Sequence, residues 1–287
     1  FNVDDGINGF ELWKSDGTAA GTVLVKDINP GSSMSYPMYL TNFNGILVFR
    51  ATTDAEGDEL WRSDGTEAGT VLVKDIYTGV SSGGPTVMLV IDTNFYFIGT
   101  DEFAGDQVFK SDGTTAGTVP LQGADAYFNP DDIIKLNDAI YFTASSASSG
   151  NELWKTDGTA AGTVQVKDIV TGSGSSSPSR LTNVNNTLFF TATTSGQVGL
   201  FKTDGTGPGT VALNNTVVSG GTYNTFYGYD SKLYFMYNGY KPGIPITATG
   251  IEPWVSDGTN AGTTLIKDIN TTSNAANPGP YVKAGNT

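Results

Sequence analysis

The sequence contains no cysteine and no histidine. Without thiols it has neither disulfides nor thiolate metal sites, and without imidazole it has no Ser-His-Asp triad, no histidine metal ligand and no ordinary general base near neutral pH. Most hydrolase chemistry is thereby disfavoured. The lack of cysteine fits a secreted chain and a cytosolic one equally. Positive charge is also scarce: Lys and Arg total 15 against 29 Asp and Glu, a formal net charge of −14, and the only arginines are Arg50, Arg62 and Arg180. Such a field repels phosphate backbones and anionic lipid, which sets nucleic acid and membrane insertion aside as partners. No run of 18 apolar residues occurs, and Phe1-Asn2-Val3-Asp4-Asp5 lacks the features of a signal peptide. The chain therefore reads as soluble, with any export signal removed or left out.

What is present is a repeat. The string from Glu11 to Ile28, Glu-Leu-Trp-Lys-Ser-Asp-Gly-Thr-Ala-Ala-Gly-Thr-Val-Leu-Val-Lys-Asp-Ile, recurs almost verbatim at 59–76 and 152–169. A looser copy spans 252–269, and degenerate ones span 107–124 and 199–216. The Asp of each Asp-Gly-Thr falls at Asp16, Asp64, Asp112, Asp157, Asp204 and Asp257, a period of 45 to 53 residues that suits a four-stranded propeller blade. Within one period the strand signals are Met38 to Phe43 (a), Ile46 to Thr52 after the Asn44-Gly45 turn (b), Glu59 to Ser63 (c) and Thr70 to Ile76 (d). Each is a short run of β-branched and aromatic residues bounded by Gly, Asn, Asp, Ser or Pro, and no stretch keeps a 3.6-residue period between helix caps.

The expectation is an all-β chain folded as one six-bladed β-propeller over 1–287. Its blades lie at about 36–76, 85–124, 130–169, 178–216 and 225–269, and a last blade combines 278–287 with 1–28. That last blade takes strand a from the C-terminal segment, which matches 178–187, and strands b, c and d from the N-terminal one. Closure of this kind leaves only short, protected edges.

The Glu-Leu-Trp-x-x-Asp-Gly-Thr core resembles the ELWxxDGT repeat family, and the resemblance runs along the whole chain. It implies an exported or cell-surface repeat domain, monomeric or part of a larger polypeptide, without an established catalytic role. The third copy departs from the pattern at Gln107 and Phe109, and the fifth at Gly199 and Phe201.

Several motifs carry chemistry in principle. The Ser-Asp-Gly-Thr-x-x-Gly-Thr turn also looks like the Asp-box hairpin of sialidase-type propellers, and the expected role is structural, with Asp accepting backbone N–H bonds. Trp13, Trp61, Trp154 and Trp254, replaced by Phe109 and Phe201, are expected to pack between blades rather than stack on sugars. Glu11, Glu59, Glu152 and Glu252 accompany Lys26, Lys74, Lys167 and Lys267, and both partners are lost together in the third and fifth copies, which suggests a cross-strand ion pair. The acidic b–c loops offer Asp54, Glu56 and Asp58, then Asp101, Glu102 and Asp106, to Ca²⁺, although the spacing matches no complete EF-hand. Strand alternation places the b–c and d–a loops on one face. There the variable loops present Tyr240 and Lys241 of the 238–250 insertion, with Tyr77 and Tyr127, as ligand-binding candidates. The reading is a non-catalytic module binding a protein or a glycan, in adhesion or as a scaffold. The alternative is a sialidase- or glycosidase-like propeller hydrolase, which would need clustered arginines or a suitably spaced carboxylate pair.

Overall fold

The computed structural model describes residues 1–121, 127–213, 223–238 and 251–269. The expected strand a at 278–287 lies outside them. The described secondary structure is β throughout, in 23 strands. No described helix is long and apolar enough to cross a membrane.

Each copy of the repeat builds one antiparallel meander. The second copy shows the plan: β4 (Met38–Phe43), β5 (Ile46–Thr53), β6 (Gly57–Ser63) and β7 (Val71–Lys74) pair in chain order. The hairpin between the first two is closed by Asn44 and Gly45, at φ 51° and 87°, with Phe43 facing Ile46. Two successive positive φ values are what a two-residue primed turn demands, and Asn-Gly supplies them at low steric cost.

The first copy gives a three-stranded sheet, β1 (Asn2–Asp4), β2 (Phe10–Lys14) and β3 (Val23–Lys26). The third gives β8 (Thr86–Ile91), β9 (Asn94–Asp101), β10 (Gly105–Ser111) and β11 (Val119–Pro120). The fourth gives β12 (Tyr127–Leu136), β13 (Ala139–Ser146), β14 (Gly150–Thr156) and β15 (Val164–Lys167). The fifth gives β16 (Ser179–Val184), β17 (Thr187–Thr194), β18 (Gln197–Thr203) and β19 (Val211–Ala212). The sixth gives β20 (Tyr223–Tyr229), β21 (Lys232–Tyr237), β22 (Glu252–Ser256) and β23 (Thr264–Leu265).

The chain divides into two compact units, Phe1–Asp131 with Gly158–Ala160, and Asp132–Asp157 with Ala161–Thr287. In the first, Phe43, Val48, Leu60, Val73, Phe95, Phe97 and Phe109 make one buried cluster, and Phe97 stacks on Phe109 at 5.3 Å. A second cluster joins Leu12, Val25 and Ile28 to Phe49, Ala51 and Trp61. In the second unit, Leu153, Leu188, Phe190 and Phe201 share one cluster, and Leu200, Tyr223, Phe235, Tyr237 and Trp254 another. The b and c strands are buried on both faces, which explains why they read as near-continuous apolar runs rather than as a strict alternation.

Sheets are also fastened to one another by lysines. Lys26 Nζ donates to Thr70 O at 2.9 Å and Lys74 Nζ to Thr118 O at 2.7 Å, and in the second unit Lys167 Nζ donates to Thr210 O at 2.8 Å. The expected ion pair between Glu and Lys is not the arrangement found. A bulge between Leu60 and Trp61 sets Lys74 opposite Leu60, so the ammonium reaches the next sheet while Glu59 points into the interior.

Candidate functional site

The two ends of each sheet are built differently. At the c–d turn, Asp64 Oδ1 accepts the Thr66 N–H and hydroxyl, Thr66 Oγ1 accepts the Gly69 N–H, and Thr70 Oγ1 donates back to Thr66 O. Gly65 sits at φ 87°, the left-handed conformation that glycine adopts without penalty. A Cβ on Gly69 would lie 2.0 Å from the Asp64 carboxylate, so the second glycine of the motif is there to clear the aspartate. The same bonds recur around Asp16 and Asp204. The Thr66 hydroxyl and N–H hold the Asp64 carboxyl below its ordinary pKa. The Asp64 Oδ1 and both threonine hydroxyls are engaged inside the turn, which makes it a fold element.

The opposite end carries the b–c and d–a loops, and buried glutamates organise it. Glu11, Glu59 and Glu152 are fully buried, and each accepts backbone N–H groups of the loop that follows strand d in its own sheet. For Glu11 these are Ile28, Asn29 and Ser35, with the Ser35 hydroxyl at 2.6 Å; for Glu152 they are Ile169, Val170 and Ser176, with the Ser176 hydroxyl at 2.6 Å. Glu59 holds Ile76, Tyr77 and Gly83 at 2.7, 3.3 and 2.6 Å, and glycine at 83 supplies no hydroxyl. Glu252 accepts from Ile269. A second carboxylate ties the same loops: Asp27, Asp75 and Asp168 accept from Gly31, Gly79 and Gly172.

Burial raises the Glu11 and Glu152 carboxyls, and it raises Glu59 furthest, to about 7, with the Asp75 charge adding to the effect. A raised carboxyl in an open cleft signals a general acid. Here the carboxylate is sealed under its own loop and committed to three N–H groups, so Glu59 is an anchor. The joint disappearance of Glu and Lys is explained in the same terms: the Glu serves a loop opening with Asp-Ile, and the Lys immediately precedes that dipeptide. In the third copy Gln107 donates instead to Asp101 Oδ2.

The carboxylates considered for Ca²⁺ face separate partners. Asp54 accepts from Asn29 and Ser33, Glu56 from Thr53, and Asp58 from Thr52 while lying 3.9 Å from the Arg50 guanidinium. Asp101 accepts from Phe103 and Ala104 N–H, Glu102 from Thr78, and Asp106 from Thr100. No three acidic side chains converge among the described residues.

Of the ligand-binding candidates, Tyr240 and Lys241 lie outside the described residues. Tyr77 is half-buried in the loop held by Glu59, and Tyr127 begins β12. Trp61, Trp154 and Trp254 are buried together with Phe109 and Phe201, as packing residues should be, and Trp13 is half-buried. Arg62 is spent on Gly113 O, whereas Arg50 lies across the sheet from Met38.

Residues that sequence reasoning passed over define the surface. Among the described residues the most exposed large apolar side chains are Phe103 at 88%, Val80 at 78% and Ile7 at 73%, and all three sit on b–c or d–a loops of the first unit. Tyr36, at 47%, joins them and stacks on Phe10 with ring centroids 5.5 Å apart. Its signal was a tyrosine immediately before Pro37, at a repeat position that holds Gly84, Asn129 and Ser177 in other copies.

No protein-family model matches the sequence, and the curated proteins hold no match to it. Among solved structures the chain is similar to a puromycin hydrolase, with 13% identity and a TM-score of 0.48 over 82% of this chain and 39% of that one. The chain thus spans well under half of that hydrolase. It is also similar to a chain of a nidogen/laminin complex, with 11% identity and a TM-score of 0.42 over 82% and 86% of the two chains. A third likeness is to an α-L-arabinofuranosidase from Clostridium thermocellum, with 15% identity and a TM-score of 0.33 over 82% and 95%. Identities this low say nothing of activity.

Proposed function

We propose that the chain is a non-catalytic binding module of an exported or cell-surface protein, of the ELWxxDGT repeat type, and that it binds its ligand through the b–c and d–a loops. The observation that carries this reading is that the most exposed large apolar side chains among the described residues, Phe103, Val80 and Ile7, all lie on those loops, one of which also carries the exposed Tyr36. Loops fixed to a rigid scaffold are where recognition residues gather. The six sheets, one to each Asp-Gly-Thr copy, support a six-bladed propeller as the scaffold.

The hydrolase alternative finds little to build on. The Glu59 carboxyl, raised to about 7, is buried as a loop anchor, and Arg62 is committed to a backbone carbonyl. A screen of the purified chain against extracellular-matrix proteins and oligosaccharides tests the proposal, run alongside assays for peptide and glycoside cleavage. Saturable binding without turnover is the expected result, and turnover of any substrate overturns it.

A further inference from the structure

The joint between the fourth and fifth sheets is packed less fully than its counterparts. Directly across the c–d ladder, the repeat pairs Trp13 with Leu24, Trp61 with Leu72 and Trp254 with Leu265. The fourth copy pairs Trp154 with Gln165, and the third Phe109 with Pro120. In the fifth copy the same two places hold Phe201 and Ala212, the smallest pair of the six.

The lost volume faces the preceding sheet. Trp61 and Leu72 pack with Val25 and Ile28 of the first sheet, and both of those are buried. Phe201 and Ala212 pack with Val166 and Ile169, which hold the equivalent places in the fourth, yet Ile169 is left partly open. Phenylalanine alone does not cause this, since Ile76, which packs with Phe109, is buried. The alanine is the decisive change.

What opens is a cleft of about 390 Å³. Its apolar walls are Ile169, Phe201, Val211 and Ala212, and Lys167, Thr194 and Thr210 supply the polar ones. Small-molecule sites run from roughly 300 to 1,000 Å³ and combine apolar walls with a few polar groups. Truncating packed side chains costs stability, and Trp with Leu at these places would restore the packing that other copies have. Lys167 Nζ donates to Thr210 O at 2.8 Å, which leaves two of its three N–H groups. No carboxylate pairs with it among the described residues, and the neighbouring Asp168 accepts from Gly172 N–H instead. A half-buried ammonium without a counter-ion, beside apolar walls, suits an anion with an apolar body.

We propose that this cleft binds a small monocarboxylate. Its apolar body lies against Ile169 and Phe201, in the volume that larger side chains fill elsewhere, and its carboxylate accepts from Lys167. A single negative charge, rather than the two of a phosphate ester, fits a chain of net charge −14. The site goes beyond the loop surface proposed above, and either can fail without the other.

The test is calorimetry of the full chain with phenylacetate and with isovalerate, each beside the alcohol and the amine of the same skeleton. At least one acid should bind saturably. Its alcohol should bind at least about fivefold more weakly, and its amine more weakly still. Phe201→Trp combined with Ala212→Leu, which restores residues that other copies carry, should weaken acid binding by at least about tenfold in a chain that stays folded by circular dichroism. Where the double variant does not fold, Ala212→Leu alone makes the same comparison. Failure of both acids to bind overturns the proposal, as does acid binding that the filled variant retains. An alcohol or amine that binds as tightly as its acid overturns the ligand class.

Discussion

Lys74 and Thr118 belong to neighbouring sheets, and the Lys74 ammonium donates to the Thr118 carbonyl at 2.7 Å. Thr118 is fully buried, so this bond satisfies a carbonyl that water does not reach. Lys74→Met keeps the aliphatic stem and removes the donor. The expected cost is about 1–3 kcal/mol, the range for stranding a buried polar group, read as a lower urea midpoint at an unchanged slope. Unchanged stability would show that the clamp contributes nothing.

The Asp-Gly-Thr turn predicts a non-additive pair. Asp64→Ala removes the bonds to Thr66, and Gly69→Ala drives a methyl into the carboxylate and breaks those same bonds. Each single variant should melt lower than the parent. The double variant should melt close to Asp64→Ala alone, because the methyl then has space. Additive losses in thermal melts would separate the two residues.

Glu59 makes stability depend on pH in a definite direction. Its folded pKa of about 7 lies above the ordinary 4.5, so between those values the folded chain holds a proton that the unfolded chain has released. Stability therefore falls as pH rises through that window, by at most about 1.4 kcal/mol per pH unit, and levels off above it. Glu59→Gln should flatten this component in denaturant titrations run from pH 4.5 to 8. An unaltered slope would assign the dependence to other groups.

Trp61 tests the packing assignment. Its indole N–H is buried and meets no acceptor among the described residues, and two copies of the repeat use phenylalanine at that position. Trp61→Phe should cost less than about 1.5 kcal/mol, and Trp61→Ala about 3–5 kcal/mol. Equal losses in chemical denaturation would argue against a role in packing alone.

Local pattern made the strands legible. The segment read as Met38 to Phe43 forms over those residues, and the Asn44-Gly45 turn closes the hairpin after it. The structural role of Asp-Gly-Thr was also readable, since every partner lies within six residues. The Glu and Lys pairing was misjudged because a bulge at Leu60 and Trp61, invisible in the residue pattern, changes which strand d residue faces which strand c residue. Burial of an unpaired glutamate was equally hidden, because its partners are backbone N–H groups 17 to 24 residues away. Tyr36 escaped notice because what sets it apart is conformational: only the dihedral angle shows that it stands where Gly, Asn or Ser would be less strained.

The lysine clamp bears on how such a chain grows. A single copy of the repeat contains both halves of the joint, an ammonium that reaches forward and a threonine carbonyl that receives, as Lys74 and Thr70 show within one sheet. Duplication of that stretch of gene thus delivers a new sheet with its coupling already matched to its neighbours, and no second mutation is needed to fit it in. The third and fifth copies keep the receiving threonine, Thr118 and Thr210, but carry Gln122 and Asn214 where the ammonium would be. Thr118 and Thr210 thus receive a lysine from the preceding copy although their own copies hold no lysine at the equivalent position.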